Sequence, residues 1–490
     1  MLKRVLIANR GEIACRVIRT LRAMGIGSVA VYHLEDRGAP HLDLADERVL
    51  LHGHVPTAAY LDQDQIIAAC KATGADGLHP GYGFLSENAG FAARTAKEGI
   101  AFIGPDADVI KLMGDKILSR NYARKLGIPI APSATQTGTL EHFIDQAAAI
   151  GFPLLIKASA GGGGKGMKIV RAAKDLEENI RMAAGEAQRY FADGRVYAEK
   201  LLEQPRHIEV QVLGDGKGNV IHLFERECSI QRRYQKVVEE SPAPNLDWKL
   251  RDQICAAAVK LASAAKYKNA GTVEFILSAD GTFYFLEMNT RLQVEHPVTE
   301  MVTGVDLVAE QIKIASGLGL SFAQQDIVQK GSAIEVRVCA ERPERDFQPA
   351  VGRVGLLRVP VGGKLRFDAG IREGQVVTPA FDSMLAKLIC CGDTRADAVA
   401  GLSAALRELV ILGVPTNVDF LARIARNGVF KSGKLHTGFI GEQSADLAPP
   451  ALAPSEEAAA VLTALFDDAD FRRAAFDVPE PYASIGAWRN

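Results

Sequence analysis

The stretch Lys157-Ala-Ser-Ala-Gly-Gly-Gly-Gly-Lys165-Gly-Met-Lys168 lies between two short apolar runs that read as strands. Four consecutive glycines make a poor helix or strand, because glycine loses more backbone entropy on ordering than any other residue. Their amides are instead free to close around an anion, and the flanking lysines can neutralise phosphate oxygens. Gly166 stands where a P-loop has Ser or Thr, which excludes that motif. The pattern predicts a strand–loop–strand phosphate site, with a flexible hinge as the alternative.

Length and composition limit the classes of protein to which the chain can belong. A chain of 490 residues predicts two to four domains. With 57 Lys plus Arg and 59 Asp plus Glu, the net charge is −2, which excludes a generally basic nucleic-acid binder. No apolar run approaches the ~18 residues of a membrane span, and no secretory leader is evident. Seven scattered cysteines predict a reduced, cytoplasmic protein without a disulfide framework.

The first hundred residues alternate strand and helix signals. An apolar run at 4–8 precedes a loop at 9–12, a helix to about Met24 and a second apolar run at 28–32. A strand–helix–strand unit predicts a parallel, doubly wound sheet with ligands at the carboxyl ends of its strands. The loop lacks G-x-G-x-x-G, so a dinucleotide site is disfavoured, and simple tight turns are the alternative reading.

Two acidic residues occupy a predicted hairpin between residues 271 and 289. Taking Asp280-Gly281 as a two-residue turn places Glu274 directly opposite Glu287, with Asn289 on the same face. Like charges in that position repel each other, and a hard divalent cation would reverse the sign of the interaction. The hairpin therefore predicts a Mg²⁺ or Mn²⁺ site, with a charged solvent face as the alternative.

Two further polar segments are candidates for a binding site. One directly follows the hairpin in the sequence, and the other carries positive charge. In residues 287–297, Arg291 is a candidate for binding an oxyanion and Glu295 for a general base, whereas His296 is expected to be structural. A polar loop that caps the strand is the alternative. Residues 228–240 hold three cations, including Lys236, and predict an anion pocket unless they form a solvated face.

Taken together, these motifs resemble those of the biotin carboxylase component of biotin-dependent acyl-CoA carboxylases, an ATP-grasp family. The resemblance covers residues 1 to about 442 and rests on IANRGEIA, HPGYGFLSEN, MGDK, KASAGGGGKGM, PRHIEVQV, QRRYQKVVEESPAP and EMNTRLQVEHPVTEM. It implies an α/β fold with an N-terminal doubly wound parallel-sheet domain (1–113), an ATP-grasp domain (114–330) with a mobile lid at about 131–203, a C-terminal mixed α+β domain (331–442) and a linker-like tail (443–490).

The resemblance also implies a ligase that carboxylates biotin with bicarbonate through carboxyphosphate at the expense of ATP. The implied ATP contacts are Lys116, Lys157, Gly163, Gly164, Glu199, Lys200, Leu201, Leu202, His207, Gln231 and Tyr234. Two Mg²⁺ or Mn²⁺ ions would be held by Glu274, Glu287 and Asn289. Bicarbonate would be held by Lys236, Arg291, Gln293 and Val294. Glu295 would be the base and Arg337 would bind biotin and stabilise its enolate. Tyr234 departs from the histidine of several members.

The partners implied by the resemblance are a biotin carboxyl carrier domain or protein, a carboxyltransferase subunit and a second copy of the chain. No Ala-Met-Lys-Met attachment sequence is present, so biotin would arrive on another domain or chain. The final acyl-CoA or keto-acid acceptor is not encoded in these motifs. Two other functions stay open at this point: a different ATP-grasp carboxylate–amine ligase, and a non-catalytic nucleotide sensor that docks partners through residues 443–490.

We expect Glu295→Gln to lower bicarbonate-dependent ATP turnover by ~10²-fold or more, because a general base typically contributes that much to the rate. Nucleotide binding should change little, since the amide keeps the volume of the carboxylate. Phosphate release and the dissociation constant for ATP are the two measurements. A variant with near-normal turnover would remove the base assignment.

Overall fold

The computed structural model describes residues 1–136, 138–159, 167–362, 364–451 and 453–467. Its N-terminal region is a five-stranded parallel sheet in the order β3-β2-β1-β4-β5, as predicted. Its elements are β1 (Arg4–Ile7), α1 (Gly11–Ala23), β2 (Gly27–Tyr32), α2 (Pro40–Leu44), β3 (Glu47–Leu50), α3 (Pro56–Tyr60), α4 (Gln63–Thr73), β4 (Gly77–His79), α5 (Ala89–Lys97), β5 (Ala101–Phe102) and α6 (Ala107–Gly114).

The continuous apolar run of β1 reflects burial on both faces of this sheet. Val5 and Ile7 pack with α1 in one hydrophobic cluster, whereas Leu6 belongs to a second cluster with α4 and α5. Strands covered on both sides need apolar residues at every position rather than at alternate ones, which is the signature of a doubly wound parallel sheet. At the carboxyl end of β1, the loop at residues 8–10 and the start of α1 form a polar edge of this sheet.

A second, smaller sheet contains the strands on either side of the glycine run. It is antiparallel, has the order β6-β9-β7-β8 and packs against two helices in a core of its own. The helix before this sheet, Lys116–Lys125, begins after Asp115, which caps it by accepting from the amides of Ile117 and Leu118. The elements are α7 (Lys116–Lys125), β6 (Ser133–Thr135), α8 (Leu140–Ile150), β7 (Leu154–Ala158), β8 (Lys168–Val170), α9 (Leu176–Phe191) and β9 (Val196–Lys200).

An eight-stranded sheet in the order β14-β13-β10-β11-β12-β15-β22-β20 dominates the rest. Its elements and those around it are β10 (Arg206–Asp215), β11 (Val220–Arg232), β12 (Gln235–Ser241), α10 (Trp248–Ala264), β13 (Lys268–Leu277), β14 (Phe283–Asn289), α11 (His296–Thr303), α12 (Leu307–Ala315), β15 (Ser332–Cys339), β16 (Glu341–Arg342), β17 (Gln348–Pro349), β18 (Gly352–Arg353), β19 (Leu356–Arg358), β20 (Leu365–Ala369), β21 (Val376–Val377), β22 (Met384–Gly392), α13 (Arg395–Glu408), β23 (Val410–Leu412), α14 (Val418–Arg426), α15 (Gly428–Ser432), α16 (Phe439–Glu442) and α17 (Ser444–Leu447).

Alternation along the central strands separates a hydrophobic face from a polar one. Ile208, Val210 and Val212 of β10 pack on α10, so the intervening residues of that strand face α11 and α12. This second face carries the charged side chains described below. Residues 448–490 form a separate unit in which α18 (Pro454–Asp467) is described. Among the described residues, no helix combines the length and hydrophobicity that a bilayer crossing requires.

The hairpin of β13 and β14 confirms the pairing of Glu274 with Glu287 but not the predicted turn. The loop has three residues, 279–281: the Gly281 amide donates to the Ser278 carbonyl, and Gly281 adopts φ +84°. The register from Phe275–Phe285 to the turn is therefore offset by one residue. Leu286 is the extra residue of a β-bulge that restores the predicted register at Glu287.

The bulge places the strand's phenylalanines on the face opposite to Glu287, contrary to a strict alternation from that residue. Phe285 is 1% exposed and packs with Phe275 in the core beneath α10. We expect Phe285→Ala to cost about 3–5 kcal/mol of stability through the cavity it leaves, measured as a lower melting temperature. Tyr284→Ala, on the other face, should cost less. An unchanged melting temperature with weakened magnesium-dependent nucleotide binding would contradict this placement.

Candidate active site

The glycine run joins two paired antiparallel strands, as the sequence predicts. Ile156 of β7 lies opposite Lys168 of β8. Gly163 and Gly164 fall outside the described residues, so the predicted amide cradle stays a prediction. Lys157 is buried, and its ammonium contacts the Glu199 carboxylate. Burial lowers the pKa of Lys157 in spite of that partner.

Glu199 lies on β9 between two cations. Its second oxygen is 3.0 Å from the Arg120 guanidinium. Burial alone would raise the pKa of Glu199, but Lys157 and Arg120 hold it below its ordinary value. Lys200 points elsewhere, since its Nζ donates to the carbonyls of Gly151 and Phe152 at 3.1 and 2.8 Å.

The other predicted nucleotide contacts lie at several depths. Leu201 and Leu202 follow β9 and are partly buried, and the Leu201 amide donates to the Pro153 carbonyl at 3.1 Å. Gln231 lies on β11 and its Nε2 donates to Nδ1 of His207 at 2.8 Å. Tyr234 is at the turn between β11 and β12, where it is 50% exposed. The structure thus joins Gln231 with His207 and leaves Tyr234 at the surface.

Three glutamates stand side by side across neighbouring strands of the large sheet. Glu287 on β14 lies opposite Glu274 on β13, which lies opposite Glu209 on β10. The row ends at Arg226 on β11, directly opposite Glu209. Adjacent like charges destabilise a sheet unless cations compensate them. The sequence analysis identified two of these glutamates and missed Glu209, although the PRHIEVQV motif contains it.

Each glutamate of the row contacts a nitrogen-bearing side chain outside the row. The Lys116 ammonium is 2.9 Å from Glu287, and Nε2 of His207 is 2.9 Å from Glu274. Burial would lower the pKa of Lys116, but Glu287 raises it above its ordinary value. The predicted ATP and metal residues are therefore adjacent in the structure.

Lys236 is the centre of the site. Its ammonium donates to Glu209, Glu274 and Glu295 at 2.5, 2.8 and 2.6 Å. Burial would lower the pKa of Lys236, but these carboxylates raise it well above its ordinary value. Reciprocally, burial would raise the pKa of Glu274 and Glu295, yet Lys236 leads the cations that hold both well below the usual glutamate range.

Arg337 on β15 is a second cation beside Glu295. Its guanidinium lies 3.0 Å from Glu295 and 2.5 Å from Glu239. Burial raises the pKa of Glu239 to about 7, against the opposing effect of Arg337. Glu335, directly across from Glu239, is fully buried, and neither of its oxygens has a hydrogen-bond partner among the described residues. Burial raises its pKa well above the ordinary value. The sequence analysis assigned no role to Glu335, or to Glu239, although the QRRYQKVVEESPAP motif contains the latter.

The residues after β14 complete the site. Arg291 donates to Glu87 at 3.0 Å and to the Gln293 side chain at 2.9 Å. Asn289 and Gln293 each donate to one oxygen of Glu274, at 2.7 and 3.1 Å. The four predicted residues at 287–293 that carry polar groups thus converge on the same carboxylate row.

The segment that follows is held from two sides. Glu295 is the N-cap residue of α11, and Nδ1 of His296 lies 2.8 Å from the Gln293 carbonyl, a structural role as expected. The Val294 carbonyl accepts from the buried Lys387 at 2.8 Å, and that ammonium is 3.2 Å from Glu12 of α1. The sequence analysis assigned no role to Lys387, which stands alone in an apolar strand, or to Glu12, although it identified the loop at 9–12 that contains Glu12.

The acidic row suits hard divalent cations. Glu274, Glu287 and Asn289 offer oxygen donors, the ligands that Mg²⁺ and Mn²⁺ prefer. In this structure the ammonium groups of Lys116 and Lys236 stand against the same two carboxylates as counter-charges. The residues therefore fit the predicted ions.

Lys236 is shared by Glu274 and Glu295, so its removal should change how the stability of the protein depends on pH. Carboxyls with depressed pKa values stabilise the fold fully above the unfolded value near 4.3 and lose that contribution on acidification. In Lys236→Met the pKa of Glu274 and Glu295 should rise, which destabilises the protein by about 3–5 kcal/mol at pH 7. Acidification to about pH 5 should then reduce the difference in melting temperature from the parent protein.

The matched control is Lys364→Met, which removes an exposed ammonium from the exposed Asp393. It should lower the melting temperature only slightly at every pH, as surface pairs contribute little. A Lys236→Met difference that stays constant or widens on acidification would contradict the electrostatic account.

Comparison with known proteins agrees with this geometry. Three family models match: Biotin carboxylase, N-terminal domain (residues 1–110), Carbamoyl-phosphate synthase L chain, ATP binding domain (115–323) and Biotin carboxylase C-terminal domain (335–442). The chain is 48% identical over 442 residues to a biotin carboxylase of Nostoc sp., covering 90% of this chain and 99% of that relative.

Two further similarities extend the comparison. The chain is 44% identical over 490 residues to the mitochondrial methylcrotonoyl-CoA carboxylase subunit alpha of Dictyostelium discoideum, covering 99% of this chain and 70% of that relative. Its fold is similar to the crystal structure of the biotin carboxylase domain dimer of Hydrogenobacter thermophilus 2-oxoglutarate carboxylase in complex with MgADP, ADP and bicarbonate. The TM-score is 0.89 at 44% identity, over 92% of this chain and 100% of that chain. This chain belongs to the biotin carboxylase family.

Proposed function

We propose that the chain carboxylates carrier-bound biotin with bicarbonate, through carboxyphosphate, as the biotin carboxylase component of an acyl-CoA carboxylase. It is an enzyme, an ATP-dependent ligase of the ATP-grasp type that uses Mg²⁺, and biotin is its carboxyl acceptor. The observation that carries the assignment of residues is the position of Lys236. One ammonium touches the metal-site carboxylate Glu274 and the proposed base Glu295, so the phosphoryl donor and the bicarbonate would meet beside it.

The nucleotide would lie between the small sheet and the acidic row. Lys116, Lys157 and His207 are the cationic or donor groups on that side, and the glycine run would close over the phosphates. Glu199 to Leu202 would line the adenine pocket together with Gln231 and Tyr234. Glu274, Glu287 and Asn289 would hold Mg²⁺ or Mn²⁺, which when bound neutralises the charge of the triphosphate. Closure of a lid at about 131–203 would exclude water from the reactive anhydride.

Bicarbonate would bind at Lys236, Arg291, Gln293 and the Val294 backbone. In the ligand-free network the Glu295 carboxylate is a weak base, because Lys236 and Arg337 stabilise its charge. An arriving anion shares the Lys236 ammonium and thereby raises the proton affinity of Glu295. Glu295 then takes the bicarbonate proton, and a bicarbonate oxygen attacks the γ-phosphorus as the bond to ADP breaks.

Arg337 would serve the second half of the reaction. Carboxyphosphate breaks into CO₂ and phosphate, the released phosphate takes the proton from N1 of biotin, and the deprotonated N1 attacks the CO₂ carbon. The negative charge of the ureido group then resides on its oxygen, where a fixed guanidinium stabilises it. Arg337 suits this role because its hydrogen bond to Glu239 would keep the guanidinium in place. Its contact with Glu295 could then be replaced by one to the ureido oxygen.

The relatives include named subunits of biotin-dependent carboxylases. We therefore propose a biotin carboxyl carrier domain or protein, a carboxyltransferase subunit and a second copy of the chain as partners. The division at 113, 330 and 442 and a role for the 443–490 tail in connecting to these partners belong to the same proposal. So does a cytoplasmic location, which is supported by seven cysteines that are all described and form no disulfide.

The decisive experiment measures phosphate release from MgATP with and without bicarbonate and free biotin. We expect release to require bicarbonate and to rise with biotin. Arg337→Met should lower the biotin-dependent rate by about 10²-fold, the usual effect of losing one group that stabilises an oxyanion, while nucleotide binding is retained. Intact nucleotide binding without bicarbonate-dependent turnover would contradict the proposal and favour a different ATP-grasp ligase or a nucleotide sensor.

A further inference from the structure

We infer that Arg226 is a positioning residue that fixes Lys236 and Glu295 relative to each other, so that bicarbonate meets the ammonium and the base in one geometry. The inference deepens the proposed function and rests on it. Arg226 does not line the substrate site; it acts through Glu209 on one side and through Thr299 on the other. Neither the guanidinium nor these two partners received a role above.

Arg226 is buried at the end of the acidic row and donates hydrogen bonds to four side chains. It is fully buried, with 0% of its side chain exposed. It donates to Glu209 and Gln211 of β10, to Thr272 of β13 and to Thr299 of α11, at 2.6, 2.9, 3.2 and 2.9 Å. A planar guanidinium holds several partners in fixed directions, which an ammonium cannot do. One group therefore connects two strands of the sheet to the helix that follows the metal hairpin.

The first connection leads to Lys236. Glu209 accepts from Arg226 on one oxygen and from Lys236 on the other, and the carboxylate is completely buried. Without Arg226, this glutamate would have one cation fewer and a free choice of rotamer. Lys236 would then lose a defined partner among the three that set its position. The expected consequence is weaker and less directed binding of an anion at Lys236.

The second connection leads to Glu295. Thr299 lies four residues after Glu295 along α11, so the two side chains share a face of the helix start. The bond from Arg226 to Thr299 therefore fixes the height of the helix against the sheet. The charged groups around Glu295 are Lys236 from β12, Arg337 from β15 and Arg226 from β11, and its other titratable neighbours are Glu209, Glu239, Glu335 and the Cys228 thiol of β11. Arg226 is one of the three cations that hold the pKa of Glu295 below its ordinary value.

A purely structural role is the competing explanation. A buried Arg–Glu pair that loses one partner destabilises a protein whether or not it serves a site. The chain offers a control, because Arg395 forms a comparable pair with Glu240 at 2.6 Å outside the Lys236 network. Arg395→Met should lower the melting temperature without changing the kinetic parameters for bicarbonate.

The test compares Arg226→Lys, Arg226→Met and Arg395→Met in bicarbonate-dependent phosphate release. For Arg226→Met we expect the KM for bicarbonate to rise about tenfold or more, the range seen when a supporting partner of a site residue is removed. The KM for MgATP should stay within about twofold, and the acidic limb of kcat/KM should move to higher pH. Arg226→Lys should restore the position of the acidic limb, since the charge remains, but only part of the KM.

Two results would overturn the inference. One is an Arg226→Met protein whose bicarbonate KM and pH profile match those of Arg395→Met. The other applies if Arg226→Met does not fold: Thr299→Val, which removes a single hydrogen bond, would then leave the bicarbonate KM unchanged instead of raising it a few fold. A parent protein without bicarbonate-dependent release would instead count against the proposed function, so the two failures are distinguishable.

Discussion

Three carboxylates in a line across one face of a sheet are the constraint on which this structure depends. Glu287, Glu274 and Glu209 are nearest neighbours on adjacent strands, and the last two are almost completely buried. Such a row cannot be ionised in a dry interior without cations of equal number and close approach. Lys116, Lys236 and Arg226 satisfy that requirement, each from a different element. Helix α7 and strands β12 and β11 carry Lys116, Lys236 and Arg226, respectively.

The same balance explains why a site built for anions is full of carboxylates. A triphosphate, a bicarbonate and an oxyanion of biotin would enter a region whose cations are already paired with glutamates. Each incoming anion would replace a glutamate at one of these cations. The cation would thus keep a negatively charged partner throughout the rearrangement. Glu295 illustrates the benefit: the surrounding cations hold its pKa well below the ordinary value in the ligand-free structure. If Glu295 is the base that we propose, sharing those cations with a ligand would strengthen it only when there is a proton to remove.

The sequence was informative where function is written into consecutive residues. The parallel sheet, the two strands that flank the glycine run and the opposition of Glu274 and Glu287 all follow from local patterns and are confirmed. Residues that act from behind the site left no such pattern. Lys387 is the single charged residue of an apolar strand, whereas Arg226 and Glu239 have charged neighbours that do not distinguish them, and only the pairing of distant strands brings these residues to the site. Tertiary register, which a single sequence does not specify, decided their positions.

In the β13–β14 hairpin, the predicted pairing of Glu274 with Glu287 is correct although the predicted two-residue turn is wrong. A two-residue turn with strict alternation would have placed Phe285 on the same face as Glu287, where an aromatic ring would crowd the acidic row. The three-residue loop ending in Gly281 shifts the register by one and turns the phenylalanines toward the core beneath α10. The carboxylates would then face the core as well, unless the strand gained a residue before Glu287. The bulge at Leu286 supplies that residue. One irregularity therefore allows a single short strand to carry core-forming aromatics near the turn and, at its far end, the polar groups that we propose as metal ligands.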